Sequence, residues 1–151
     1  MGSVTTSTSI EADIQAVFDY VADYRTAIKY SHDLKKWEPV TDVTDDIGAQ
    51  FDVTLQLGPK AFDSRVEVNS RTDPEQFGWS SISGFQHSGK YTFSAAAEGR
   101  TDVTFEFDYT LPGGMAGRLL GRTFDPMLKA SLGHNLKTLK KQVEEQARTS
   151  G

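Results

Sequence analysis

The strongest constraint on how this chain can fold is a period of two that recurs in three separate stretches. Phe51, Val53, Leu55 and Leu57 alternate with Asp52, Thr54 and Gln56. Phe62, Ser64, Val66 and Val68 alternate with Asp63, Arg65, Glu67 and Asn69. Val103, Phe105, Phe107, Tyr109 and Leu111 alternate with Thr104, Glu106, Asp108 and Thr110. Successive side chains of a strand point to opposite faces, so each stretch predicts a strand with one apolar and one polar face. Residues 77–83 and 87–97 read as two further strands, separated by Gly84, and Gly99 supplies the next turn. The β-branched run at residues 4–10 predicts a first strand, and residues 37–40 are extended because Pro39 disfavours helix at Glu38. Strands this closely spaced, with no helices between them, predict an antiparallel, half-buried sheet of about six to seven strands.

Helical periodicity appears at the two ends of that sheet. Ile14, Val17, Phe18 and Val21 make one apolar stripe behind Asp13, which can cap the helix, and residues 25–30 predict a second short helix. After Leu111-Pro-Gly-Gly114 the pattern is helical to the end. Leu120, Phe124, Leu128, Leu132, Leu139 and Val143 share one arc, opposite Arg122, Lys129, Lys137, Lys140 and Lys141. Pro126 predicts a kink or a restart of this helix, with Asp125 as the new cap.

Composition narrows the function classes. The 151 residues fit a single domain over residues 1–151, and a chain of this size folds without disulfides or a structural metal. With no cysteine, zinc ribbons, iron–sulfur sites and thiol chemistry are excluded, and a reducing, cytoplasmic setting is expected. The net charge of −5 argues against a nucleic-acid binder. Residues 113–151 carry seven basic and three acidic groups, which read as the solvated outer face of the last helix. The first ten residues lack the basic and apolar regions of a signal peptide, and no run reaches the ~18 apolar residues of a membrane span. Gly2 with Thr6 fits a myristoylation pattern only formally, and Met1-Gly-Ser3 is equally an expression remnant.

A long sheet with one apolar face must cover that face, and the main cover here is one amphipathic helix. A twisted sheet curled around a single helix leaves inward positions unfilled, which is the kind of concave apolar site that holds small molecules. The order of strand, two short helices, meander and long terminal helix resembles the helix-grip superfamily of START-like, Bet v 1-like and polyketide cyclase/dehydrase proteins. The resemblance spans nearly the whole chain. It rests on Ser9-Ile-Glu-Ala-Asp-Ile-Gln-Ala-Val-Phe-Asp-Tyr-Val-Ala-Asp23, Trp37-Glu-Pro-Val40, Gly89-Lys-Tyr-Thr-Phe93 with Arg100-Thr-Asp-Val-Thr104, and Leu136-Lys-Thr-Leu-Lys-Lys-Gln-Val-Glu144. It implies an α+β helix-grip fold, a curved antiparallel sheet wrapped around a long C-terminal helix with two short helices after the first strand. It also implies a central cavity for lipids, quinones, sterols or polyketides, and it transfers no catalytic residue.

Strand phase nominates the site. If Tyr91 and Phe93 point inward, so does His87, and Ser81 and Ser83 share the phase of Phe77 and Trp79. With Tyr109 these form a polar cluster in which His87, Tyr91 or Tyr109 could move a proton. Phe105, Phe107, Trp37 and Trp79 are candidate apolar walls. On the last helix, Asn135 and Ser131 fall on the apolar side, where a buried amide must bond either a ligand or the protein itself, the latter being the simpler reading. Phe124 and Met127, with Met115 and Leu120, are candidate lining or plain core. His32 and His134 read as surface residues. The three histidines form no metal-ligand spacing, and neither metal nor cofactor is expected.

Two motif matches fail on context. Gly84-Phe-Gln-His-Ser-Gly89-Lys90 begins like a phosphate-binding loop, but Tyr91 replaces the metal-binding hydroxyl and a strand follows, so a hairpin is expected. Gly113, Gly114 and Gly117 lack a preceding βαβ unit, and no G-x-S-x-G elbow is present. The leading expectation is a non-catalytic binder of a small hydrophobic molecule. The alternatives are a polyketide aromatase/cyclase and a protein-interaction module using the basic helix.

Overall fold

A computed structural model of the protein describes residues 2–111 and 124–150. In chain order these form β1 (Gly2–Ile10), α1 (Ile14–Ala22), a 3-10 turn (Tyr24–Thr26) and α2 (Ala27–Tyr30). There follow β2 (Leu34–Pro39), β3 (Gln50–Leu57), β4 (Lys60–Thr72), β5 (Gln76–Gly84), β6 (Gln86–Ala97), β7 (Arg100–Thr110) and α3 (Phe124–Ser150). The seven strands make one antiparallel sheet in the order β1-β7-β6-β5-β4-β3-β2. It is the expected α+β helix-grip arrangement, a curled sheet with a long C-terminal helix and short helices after the first strand.

The period of two decides which face is covered. Phe51, Val53, Leu55 and Leu57 are buried along β3, Ser64, Val66 and Val68 along β4, and Val103, Phe105, Phe107 and Tyr109 along β7. The apolar stripe of α3, formed by Phe124, Leu128, Leu132, Leu136, Leu139 and Val143, lies buried on the opposite side of the same core. Polar clamps hold α3 to the start of the chain. Lys140 Nζ donates to the Ser9 carbonyl at 2.7 Å, and Glu144 accepts from the Glu11 amide at 2.8 Å. Helix α1 adds Phe18, which packs edge-on against Phe93 and Phe77.

Three local expectations change. Asp13 occupies the N-cap position of α1, but its side chain makes no capping bond. Pro126 is the third residue of α3, and whether the helix restarts there depends on residues 112–123, which lie outside the described residues. Asp125 is a first-turn residue rather than the cap, and its carboxylate accepts from the Tyr109 hydroxyl. The pairing of β4 with β5 slips between Ser81 and Ser83, which turns Ile82 and Ser83 out to solvent and removes Ser83 from the inward phase. Met115, Leu120, Gly113, Gly114 and Gly117 lie outside the described residues.

Candidate functional site

A cavity of about 70 Å³ lies between the inner face of the sheet and α3. That is roughly five times the space one ordered water needs. The enclosed volume is therefore neither filled solid nor large. Its walls are strand residues at inward phase. Trp37 stacks on Phe51 at 5.1 Å between ring centres and meets Trp79 edge-on at 5.2 Å. Trp79 reaches on to Phe105, and Phe105 lies 4.4 Å from the ring centre of Tyr91. Such offset and edge-on contacts make a firm aromatic wall. Gly89 is what admits the indole. It pairs with Trp79 across β5 and β6, and a Cβ there would stand 2.6 Å from Cζ2 of Trp79.

Three polar groups interrupt the aromatic wall. The Tyr30 and Tyr91 hydroxyls lie 3.0 Å apart at full burial. Burial pushes the Tyr30 phenol up to about 12 and raises that of Tyr91 well above its ordinary value, so both carry their protons at neutral pH. His87 is buried, with Nε2 2.8 Å from Ser64 Oγ and its backbone N–H donating to Ser81 Oγ. Desolvation pushes its imidazole down to about 4, which leaves the ring neutral at pH 7. Among the described residues no carboxylate bonds the ring to hold a proton on it, unlike the base of a hydrolytic triad.

The third polar group ties α3 to the connection between α2 and β2. Asn135 donates from Nδ2 to Asp33 Oδ1 at 3.1 Å, while its Oδ1 faces the His32 backbone N–H and ring Nδ1 at 3.1 and 2.7 Å. Ser131 Oγ donates to Asp33 Oδ2 and sits 3.1 Å from His32 Nε2. The buried amide of Asn135 is thus satisfied inside the protein, as the simpler reading expected. Ser131, His32 and Asn135 stand in the order of a nucleophile, a base and its orienter. The Ser131 hydroxyl is spent on Asp33, however, and the surrounding backbone N–H groups are those of a continuous helix, so the cluster is a structural latch.

The sequence-nominated residues divide accordingly. Trp37, Trp79, His87, Tyr91, Phe105, Phe107 and Asn135 line the cavity. Ser81 instead holds the His87 backbone, and Tyr109 spends its hydroxyl on Asp125, a contact that together with burial raises its phenol pKa. Phe124 is core packed edge-on against Tyr109, Met127 is 43% exposed, and Ser131 belongs to the latch. The structure adds Tyr30, Ser64, Asp33 and Gly89. Ser64 and Gly89 are visible in the sequence as small or polar residues at inward positions of apolar-faced strands. Tyr30 and Asp33 carry no such signal. Among the described residues no group of His, Asp and Glu could hold a metal, and no helix is long and apolar enough to cross a membrane.

A sheet curled about one long helix, with an aromatic cavity between them, is the START-like, Bet v 1-like helix-grip fold. The chain belongs to the polyketide cyclase/dehydrase and lipid transport family, whose sequence profile matches residues 1–144. Solved structures agree at the level of fold. A protein from Thermus thermophilus superposes with a TM-score of 0.83 at 18% identity, covering 97% of this chain and 99% of that one. The Zhui aromatase/cyclase from Streptomyces sp. R1128 gives 0.74 at 15% identity, covering 99% and 98%. A START superfamily protein from Mycobacterium smegmatis gives 0.68 at 14%, covering 99% of each chain. No curated protein sequence matches.

Proposed function

We infer that the protein binds a small, compact, hydrophobic molecule in the cavity between sheet and α3, as a carrier or sensor rather than a catalyst. The observation that carries this reading is the aromatic-walled cavity itself, lined by Trp37, Trp79, Tyr91 and Phe105 on the inner face of the sheet. Apolar burial of a guest at such a wall supplies ~25 cal/mol per Å² of surface removed from water. The 70 Å³ of free space is roughly half that of the ~150 Å³ apolar cavity that holds benzene, so a one- or two-ring guest requires wall side chains to shift and a sterol-sized one requires far larger movement. Native mass spectrometry of the purified protein, with thermal-shift screening across lipids, quinones and aromatic polyketides, tests it. A reproducible adduct and a raised Tm are expected, and the absence of any binder overturns the reading.

A second reading, a polyketide aromatase/cyclase, is supported by His87 and the Tyr30–Tyr91 pair, which place a neutral imidazole and protonated phenols on one cavity wall. Tyr109, the third candidate, bonds Asp125 through its hydroxyl and is not among the residues lining this cavity, so it supports the reading less directly. On this reading His87→Ala and Tyr91→Phe lower turnover of a poly-β-ketone at least tenfold while retaining binding; unchanged rates remove both residues from the chemistry.

A further inference from the structure

The cavity wall carries hydrogen-bond donors that the protein itself leaves unused. Among the described residues, Trp79 Nε1 and His87 Nδ1 are buried ring nitrogens without a partner, and both side chains line the cavity. Buried polar groups are nearly always paired, so two orphans on one wall call for an explanation outside the chain. The indole nitrogen can only donate.

The role of His87 Nδ1 follows from Ser64. Ser64 is buried, and His87 Nε2 at 2.8 Å is the hydrogen-bond partner of its hydroxyl. Were Nε2 protonated, the hydroxyl would accept and its own hydrogen would be left buried without an acceptor. With Ser64 donating to Nε2 both groups are satisfied, and the single proton of the neutral imidazole sits on Nδ1. Nδ1 is then a second unused donor. The Tyr30–Tyr91 pair supplies a third, because one hydroxyl donates to the other and the accepting phenol keeps its own hydrogen. The carboxylate at the cavity edge, Asp33, accepts from Asn135 and Ser131, and Asn135 Oδ1 is engaged by His32. No lysine or arginine is among the described residues that line the cavity.

We propose that Trp79 Nε1 and His87 Nδ1 are the specificity-determining groups of this cavity, donating to the carbonyl oxygen of a neutral aromatic ketone or quinone. This deepens the binding reading and rests on it. Ligands whose polar groups only donate leave both nitrogens orphaned. Ammonium ligands give neither nitrogen an acceptor, and carboxylates meet no cation to offset their desolvation. Discrimination of this kind, in which a site built to hydrogen-bond rejects an analogue lacking the partner, is stronger than apolar fit alone can provide.

The test compares α-tetralone with tetralin and 1-aminotetralin, which share one bicyclic frame, by isothermal titration calorimetry at pH 7. The ketone should bind at least tenfold more tightly than the hydrocarbon, and the amine more weakly than either. Trp79→Phe and His87→Phe should each reduce the ratio of ketone to tetralin affinity by fivefold or more, whatever each does to tetralin binding itself. If His87→Phe fails to fold because Ser64 loses its acceptor, Trp79→Phe carries the comparison, and ¹⁵N NMR of the wild-type imidazole reads the tautomer directly. A proton on Nε2, or a ketone advantage that survives removal of the indole N–H, overturns the assignment. Equal binding of ketone and hydrocarbon overturns the donor rule and leaves the ligand site standing. Failure of both neutral compounds to bind overturns the donor rule, and the binding reading falls with it only if the ligand screen also returns no binder.

Discussion

At His87 burial sets the acid sensitivity of the fold and underlies the donor role proposed for Nδ1. Its imidazole titrates near 6.5 in an unfolded chain and is pushed down to about 4 by desolvation in the fold. Between those values the unfolded state binds the proton and the folded state does not. Stability therefore rises with pH across this window, is fully present above about 6.5, and is lost as pH falls toward 4. From pH 7 to pH 5 the linkage amounts to about 2 kcal/mol. Urea denaturation at the two pH values should show that loss in the wild type and a markedly smaller one in His87→Gln, whose amide does not titrate. Equal losses in the two proteins would mean that His87 is not the buried neutral group described above. Gly89 gives a second prediction at this scale. Its missing side chain makes room for the indole of Trp79, so Gly89→Ala forces the ring out of place. Overpacking of this kind typically costs ~1–3 kcal/mol, and here it should also weaken binding of any cavity ligand and alter tryptophan fluorescence.

Among the elements, the latch between α3 and the connection from α2 to β2 decides how firmly the cavity is closed on that side. Asn135→Ala removes the Nδ2 donor to buried Asp33 and the acceptor for the His32 N–H. Leaving a buried carboxyl short of a donor costs about 2–3 kcal/mol. Chemical denaturation should show a loss of that size, and hydrogen exchange should show the His32 amide unprotected while the core amides of β6 and β7 keep their protection. The strands and the helix stripe were legible because alternation and helical spacing are written in contiguous residues, as in 51–57 and 103–111. The latch was only half legible. Asn135 announced itself as an amide on an apolar arc, but its partners lie about a hundred positions away, and no local pattern places His32 and Asp33 beside it. Ser83 failed for a related reason. Strand phase extrapolates only while register holds, and the slip between Ser81 and Ser83 depends on pairing with β4, a nonlocal fact. Tyr109 read correctly as inward, yet the Asp125 that captures its hydroxyl comes from another element.

For the molecule as a whole, the question is whether the space between sheet and helix is a property that function requires or a by-product of imperfect packing. The two possibilities respond oppositely to filling it. Val53 lies on β3 with its side chain on the cavity wall, opposite Ser64 across the strand pair. Enlarging it to phenylalanine adds apolar volume next to Trp37 and Phe51, where aromatic contacts are already the rule. In a tightly packed core such a substitution forces side chains off their rotamers and destabilises by ~1–3 kcal/mol. Where a void exists, the added ring gains contacts that the wall atoms now lack, and the cost falls to zero or reverses. Val53→Phe is therefore expected to keep or raise the Tm by a few degrees while abolishing the ligand-induced shift of the wild type. A drop in Tm with ligand binding intact would mean that the ligand sits elsewhere. Taken with the unused donors on Trp79 and His87, the expected outcome has a direct physical basis: the fold forgoes some packing and two hydrogen bonds at one place, and the proposed guest would supply both.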